Sequence, residues 1–96
     1  MPDEPNLREK AQVAIRSGRL PMQKPDRTFG GQGSGLACMI CGEPVTRDQL
    51  ELEIEFNRPG EPPGIDRYHL HPRCFAAWEF ERTKIPGGGE TENLSI

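Results

Sequence analysis

Cys38-Met-Ile-Cys41-Gly42 and His71-Pro-Arg-Cys74 are two pairs of metal-binding side chains, each pair separated by two residues. A Cys-x-x-Cys turn sets two sulfurs on one side of a site, and a glycine after the second cysteine lets backbone amides approach them. A histidine just ahead of a helix and a cysteine in its first turn supply the other side. Zinc asks for such a set: four ligands at tetrahedral corners, with Zn–S near ~2.3 Å and Zn–N near ~2.0 Å. The positive end of the helix also favours a thiolate at Cys74. One structural zinc ion on Cys38, Cys41, His71 and Cys74 is the expectation. His69 competes for the fourth corner. The two histidines would share a face of a strand, so periodicity does not separate them, whereas the His-x-x-Cys spacing favours His71. Cys38 and Cys41 could instead be a redox pair, but such a motif starts a helix, and Gly42 and Pro44 oppose one. Cys74 could be a plain buried thiol, a reading that the paired spacing disfavours.

Elements must position these residues. Leu50, Leu52, Ile54 and Phe56 alternate with Glu51, Glu53 and Glu55, the period of a strand with one apolar face. The acidic row reads as a solvated face that folding does not need, or as a contact for a basic partner, with the chain's own arm of Arg16, Arg19 and Arg27 as a candidate. Residues 57–64, rich in Pro and Gly, predict a hairpin loop, and Ile65 to Leu70 the return strand. Pro72 suits a helix first turn, so a helix is expected from Pro72 to Lys84, stopped by Pro86 and Gly87–Gly89. Its Phe75, Trp78 and Phe80 are expected to cover the apolar sheet face. Residues 6–18 predict a short helix capped by Asn6 and Glu9, with Leu7, Ala11, Ala14 and Ile15 as a narrow stripe and Gly18 as its stop. Residues 21–36 read as a flexible linker. Its glycine run at 30–35 lacks the flanking strand and helix, and the Gly-Lys-Ser/Thr, of a phosphate-binding loop. Three segments follow: an arm at 1–35, a zinc-binding domain at 36–85 and a disordered tail at 86–96.

Cysteine turn, hairpin, then a helix bearing the second ligand pair is an order that resembles the treble-clef zinc finger. Leu70-His71-Pro72-Arg73-Cys74-Phe75 looks like the first half-site of a LIM domain, in which an aromatic often follows His-x-x-Cys. The likeness covers residues 38–84. It departs from LIM domains in the 29 residues between Cys41 and His71 and in having no second Cys-x-x-Cys after Phe75. The resemblance implies a small α+β, zinc-stabilised domain whose relatives mediate protein contacts or bind nucleic acid. Treble-clef nucleases of the HNH type carry further ligands on the helix, and residues 75–84 hold neither His nor Asn.

Composition narrows the function. The 96 residues include 11 glycines and 10 prolines, which leaves an ordered part too small to be held by apolar burial alone. Three cysteines do not make a disulfide framework, and the acidic, polar start is unlike a secretory signal. A cytoplasmic protein of bacterial type, with no membrane segment, is expected. Net charge is −3, with residues 1–27 at +2 (six basic, four acidic) and the remainder at −5 (six basic, eleven acidic). A closed four-ligand zinc site has no open position for substrate, so no enzyme is expected. The sequence therefore predicts a regulatory module that binds a protein. A nucleic-acid binder working through its basic arm is the alternative.

Overall fold

A computed structural model describes residues 4–84. They form an α+β fold in the order α1 (Glu4–Arg16), β1 (Arg27–Gln32), β2 (Leu50–Arg58), β3 (Gly64–Leu70), α2 (Pro72–Lys84). The three strands make one antiparallel sheet with β2 in the centre. β2 and β3 are the hairpin that the alternation predicts, and α2 has the predicted bounds. The tail expected at 86–96 lies outside the described residues.

α2 covers one face of the sheet. Trp78 is fully buried, meets Phe56 edge-on at 6.3 Å between ring centroids, and donates its Nε1–H to the Pro21 carbonyl at 3.0 Å. Phe75 packs at the edge of this core, but Phe80 does not join it: 49% exposed, it lies between the Arg8 guanidinium and the Lys84 ammonium. Two turns separate Phe75 from Arg82 along α2, so one narrow face touches the sheet, and Phe80 falls outside it.

Two expectations are corrected. Helix α1 spans Glu4–Arg16, two residues earlier than predicted, because Pro5 is tolerated in a first turn. It is no separate arm: Leu7, Ala11 and Ala14 are buried in the same cluster as Trp78, Cys74, Ile54 and Leu70. α1 lies against α2, and buried Glu81 accepts from Arg8 Nε at 3.0 Å and Gln12 Nε2 at 2.9 Å. After Gly18, Leu20 tucks back under the helix, its N–H reaching the Ala14 carbonyl at 3.1 Å.

The glycine-rich segment is no flexible linker either. Residues 27–32 are β1, paired with β2 from Arg27↔Glu55 to Gln32↔Leu50. Glycine here serves close approach. Gly33 donates to the Gln49 carbonyl at 2.9 Å, and a Cβ on it would fall 1.8 Å from the Thr46 carbonyl oxygen. Only a residue without a side chain lets the two backbones lie that near.

The third strand also changes the acidic row. Glu51 and Glu55 are 5% and 7% exposed, not solvated as expected. Arg27 on β1 and Arg67 on β3 flank Glu55 and bond it at 2.8 and 2.7 Å, while Glu51 accepts from the N–H and hydroxyl of Ser34 at 2.7 and 2.8 Å. Only Glu53 keeps substantial side-chain exposure, with Arg67 Nε at 3.3 Å.

Candidate metal centre

Residues 36–45 form a tight hairpin with the cysteine pair at its turn. The Cys38 N–H donates to the Glu43 carbonyl at 2.8 Å, the Gly42 N–H returns to the Cys38 carbonyl at 2.9 Å, and Ala37 bridges Pro44. Gly42 sits at φ +82°, the left-handed region that turns the chain back and suits glycine. The Ile40 N–H points at Cys38 Sγ at 3.4 Å, as a donor toward a thiolate does. The Met39 N–H fixes this turn to β3 through the His69 carbonyl at 2.9 Å.

β3 ends at Leu70 and α2 starts at Pro72, so His71 occupies the corner between them. The Phe75 N–H bonds its carbonyl at 2.8 Å, which makes His71 the residue that opens the helix, and Cys74 follows in the first turn. The fold thereby gathers Cys38, Cys41, His71 and Cys74: one donor atom from each lies within 4.8 Å of all the others, and the four could hold a metal ion. Cys38, His71 and Cys74 are buried and Cys41 is partly exposed.

The orientation of His71 is specific. Its Nδ1 faces the sulfurs, 3.4 Å from Cys41 Sγ and 4.0 Å from Cys74 Sγ. Its Nε2 lies 3.2 Å from the Pro44 carbonyl oxygen, which can only accept. A hydrogen on Nε2 satisfies that carbonyl and leaves the Nδ1 lone pair directed at the cluster. Metal-bound histidines are held in this way, with the second ring nitrogen donating to a fixed acceptor. Sequence spacing gave no sign of the Pro44 carbonyl, since its position depends on the return of the hairpin.

Crowding also shapes the thiols. The Cys38 thiol is drawn down to about 4, chiefly by the hydrogen bond from the Cys74 side chain and against the cost of burial. Cys74 is pushed up, because it gives that hydrogen bond and because burial and the neighbouring thiolate oppose a second negative charge. Binding of a metal ion at this cluster would deprotonate Cys74 as well, since the thiolate is the ligand.

His69 lies elsewhere, on the outer sheet face, where Nδ1 bonds Glu51 Oε2. Glu51, Glu53 and His69 form a second group of potential metal donors. Glu51 and His69 satisfy one another there, and Ser34 holds the other Glu51 oxygen.

Among the described residues no helix is long and apolar enough to cross a membrane. Comparison of the chain with family models, with curated proteins and with solved structures found no match.

Proposed function

We propose that this chain binds one structural zinc ion in a treble-clef-like site and works as a protein-interaction module. The observation that carries the metal reading is the His71 ring, anchored through Nε2 to Pro44 with Nδ1 turned to the Cys41 and Cys74 sulfurs, in a cluster that Cys38 completes. A tetrahedron with the usual zinc bond lengths separates S from N by about 3.6 Å. The two S···N distances, 3.4 and 4.0 Å, bracket that spacing. Three sulfurs and one nitrogen suit zinc better than the harder divalent cations, which take oxygen. Cysteine hairpin, β2–β3 and α2 follow one another in treble-clef order.

With four protein ligands the ion has no position left for a reacting water, so its contribution is to folding. Two basic residues of the N-terminal segment are already neutralised within the chain. Arg27 is paired with Glu55 and also bonds Asn57, and Arg8 is paired with Glu81. This supports a protein partner over a phosphate backbone, whose affinity depends on free cations.

Two measurements test the reading. Metal analysis with X-ray absorption should return one zinc per chain in a shell of three sulfurs and one nitrogen. A chain without metal, or an oxygen-rich shell, would refute the zinc site. An anisotropy titration near physiological salt should show no sub-micromolar binding to duplex or single-stranded nucleic acid. Such binding, lost when Arg16, Arg19 and Arg27 become Ala, would overturn the protein-partner reading.

A further inference from the structure

The two edges of the sheet are finished differently. On β3 the Met39 N–H of the cysteine turn takes the His69 carbonyl at 2.9 Å, and the strand carries the charges of Asp66 and Arg67. β1 stands at the other edge, and among the described residues no strand lies beyond it. The Gly33 N–H bonds the Gln49 carbonyl at 2.9 Å, and the register continues from there to Arg27↔Glu55. Backbone groups alternate in direction along an antiparallel ladder. Phe29 and Gly31 therefore bond β2, while Thr28, Gly30 and Gln32 aim their N–H and C=O groups away from the sheet. No turn or loop backbone bonds those groups among the described residues. Such an edge recruits another strand unless charge, proline, a bulge or a covering segment blocks it. Thr28-Phe29-Gly30-Gly31-Gln32 carries neither charge nor proline.

We infer that β1 is the interface between two copies of this chain, paired antiparallel about a twofold axis into one continuous six-stranded sheet. The strand is complementary to itself. Phe29 is 48% exposed, and Gly31 is the next residue on the same outer face. With Gly30 set against Gly30 of the second copy, Phe29 falls directly opposite Gly31 of that copy. This is a pair of the type without its own hydrogen bonds, in which side chains come closest. The space is there to receive the ring. A Cβ on Gly31 would meet nothing within 4 Å, and a hollow of about 100 Å³ lies beside it, lined by Phe29, Gly31, Glu51 and Glu53. An aromatic ring across from an edge glycine covers bare backbone and pins the register. The twofold axis makes that contact twice from one sequence, whereas an unrelated peptide would have to bring an aromatic to the one matching position. On the helix side of the sheet Leu50 is 55% exposed opposite Gln32, and Thr28 of the second copy extends that row. Pairing β1 with β1 uses up the open edge of both copies, so assembly stops at two. The inference goes beyond the proposed function, which names no partner.

The test is sedimentation equilibrium of the zinc-loaded full chain across about 1–300 µM. The 10.7 kDa chain should pass reversibly to a species of twice that mass and no larger. Phe29→Lys, which puts a charge on the edge, and Thr28→Pro, which removes an outward N–H and no bond to β2, should each weaken the dimer by more than about tenfold, because every change counts twice across the axis. Ile65→Lys, at a 43% exposed site on the β3 edge, should leave it within about twofold. Hydrogen exchange locates the interface: amides of Thr28, Gly30 and Gln32 should gain protection as concentration rises, while those of Phe29 and Gly31 are protected throughout. A monomer at every concentration overturns the inference, as does a dimer that Phe29→Lys and Thr28→Pro leave intact or that Ile65→Lys weakens equally. Growth into larger oligomers would mean that unlike edges pair. Full protection of the outward amides at the lowest concentration would mean that another part of the same chain occupies the edge. Unfolding of both edge variants also overturns it, because Phe29 and the Thr28 N–H would then serve the monomer. A strict monomer that binds a different protein would leave the proposed function standing.

Discussion

His69 and His71 are two residues apart, and the corner at Leu70–Pro72 sends them to different chemistry. His71 Nδ1 faces the sulfurs of Cys41 and Cys74, while His69 bonds Glu51 on the outer sheet face. His71→Ala should therefore weaken metal binding by more than about 100-fold, since altering even a group that orients a ligand costs ~10–100-fold. His69→Ala should keep full metal content. Chelator competition measures both, and equal losses would mean that His69 shares the site. The carboxylates give a second prediction. Glu55 is held below its ordinary 4.5 by Arg27 and then Arg67. Burial raises Glu51, but the bonds from Ser34 and His69 outweigh it and leave it lowered. A group whose folded value is depressed contributes stability above its unfolded value and loses it as pH falls through the folded one. Stability should thus decline below pH ~4.5. Glu55→Gln should be less stable than the parent at pH 7 and converge with it in acid. Parallel unfolding curves across that range would show that the Arg27–Glu55–Arg67 row does not contribute.

At the scale of elements, the segment that leaves β1 depends on glycine for contact. Gly33→Ala must push a methyl group into the Thr46 carbonyl, 1.8 Å from where it would sit, and the neighbour is backbone. A loss of about 3 kcal/mol or more is expected in denaturant unfolding, the range of severe backbone strain and overpacking. Gly31→Ala meets nothing within 4 Å. It should be neutral or stabilise the strand by about 0.5–1 kcal/mol, since glycine costs entropy there. If both substitutions behaved alike, the glycine run would be a spacer after all. β1 also explains why the acidic row is not a solvent face: it brings Arg27 and Ser34 beside Glu55 and Glu51.

For the whole molecule, the docking of α1 changes what metal removal should do. Cys74 lies in the first turn of α2, and Leu7, Ala11 and Ala14 of α1 share one buried cluster with it. A structural zinc contributes on the order of 10–16 kcal/mol of folding free energy in comparable small domains, as much as a domain's whole stability. Chelation is expected to unfold residues 4–84 together, with amides of α1 losing hydrogen-exchange protection at the same rate as those of β2. Retention of a dispersed amide spectrum, or of a protected α1 alone, would show that the core stands without metal.

Spacing alone brought forward the four donors, because two side chains three positions apart on a turn or helix start meet whatever the rest of the chain does. Alternation marked β2, and the apolar run with its Pro start marked α2, because burial of one face writes a period into the sequence. The glycine-rich strand wrote none. Residues without side chains carry no pattern, and β1 exists through its ladder with β2, followed at Gly33 by a close approach to Thr46. The same holds for charge. A glutamate row looks alike whether water or arginine faces it, and Arg27 reaches Glu55 from 28 positions away. Which histidine turned to the sulfurs rested on the carbonyl of Pro44, 27 residues from His71, which becomes its neighbour only when the hairpin closes.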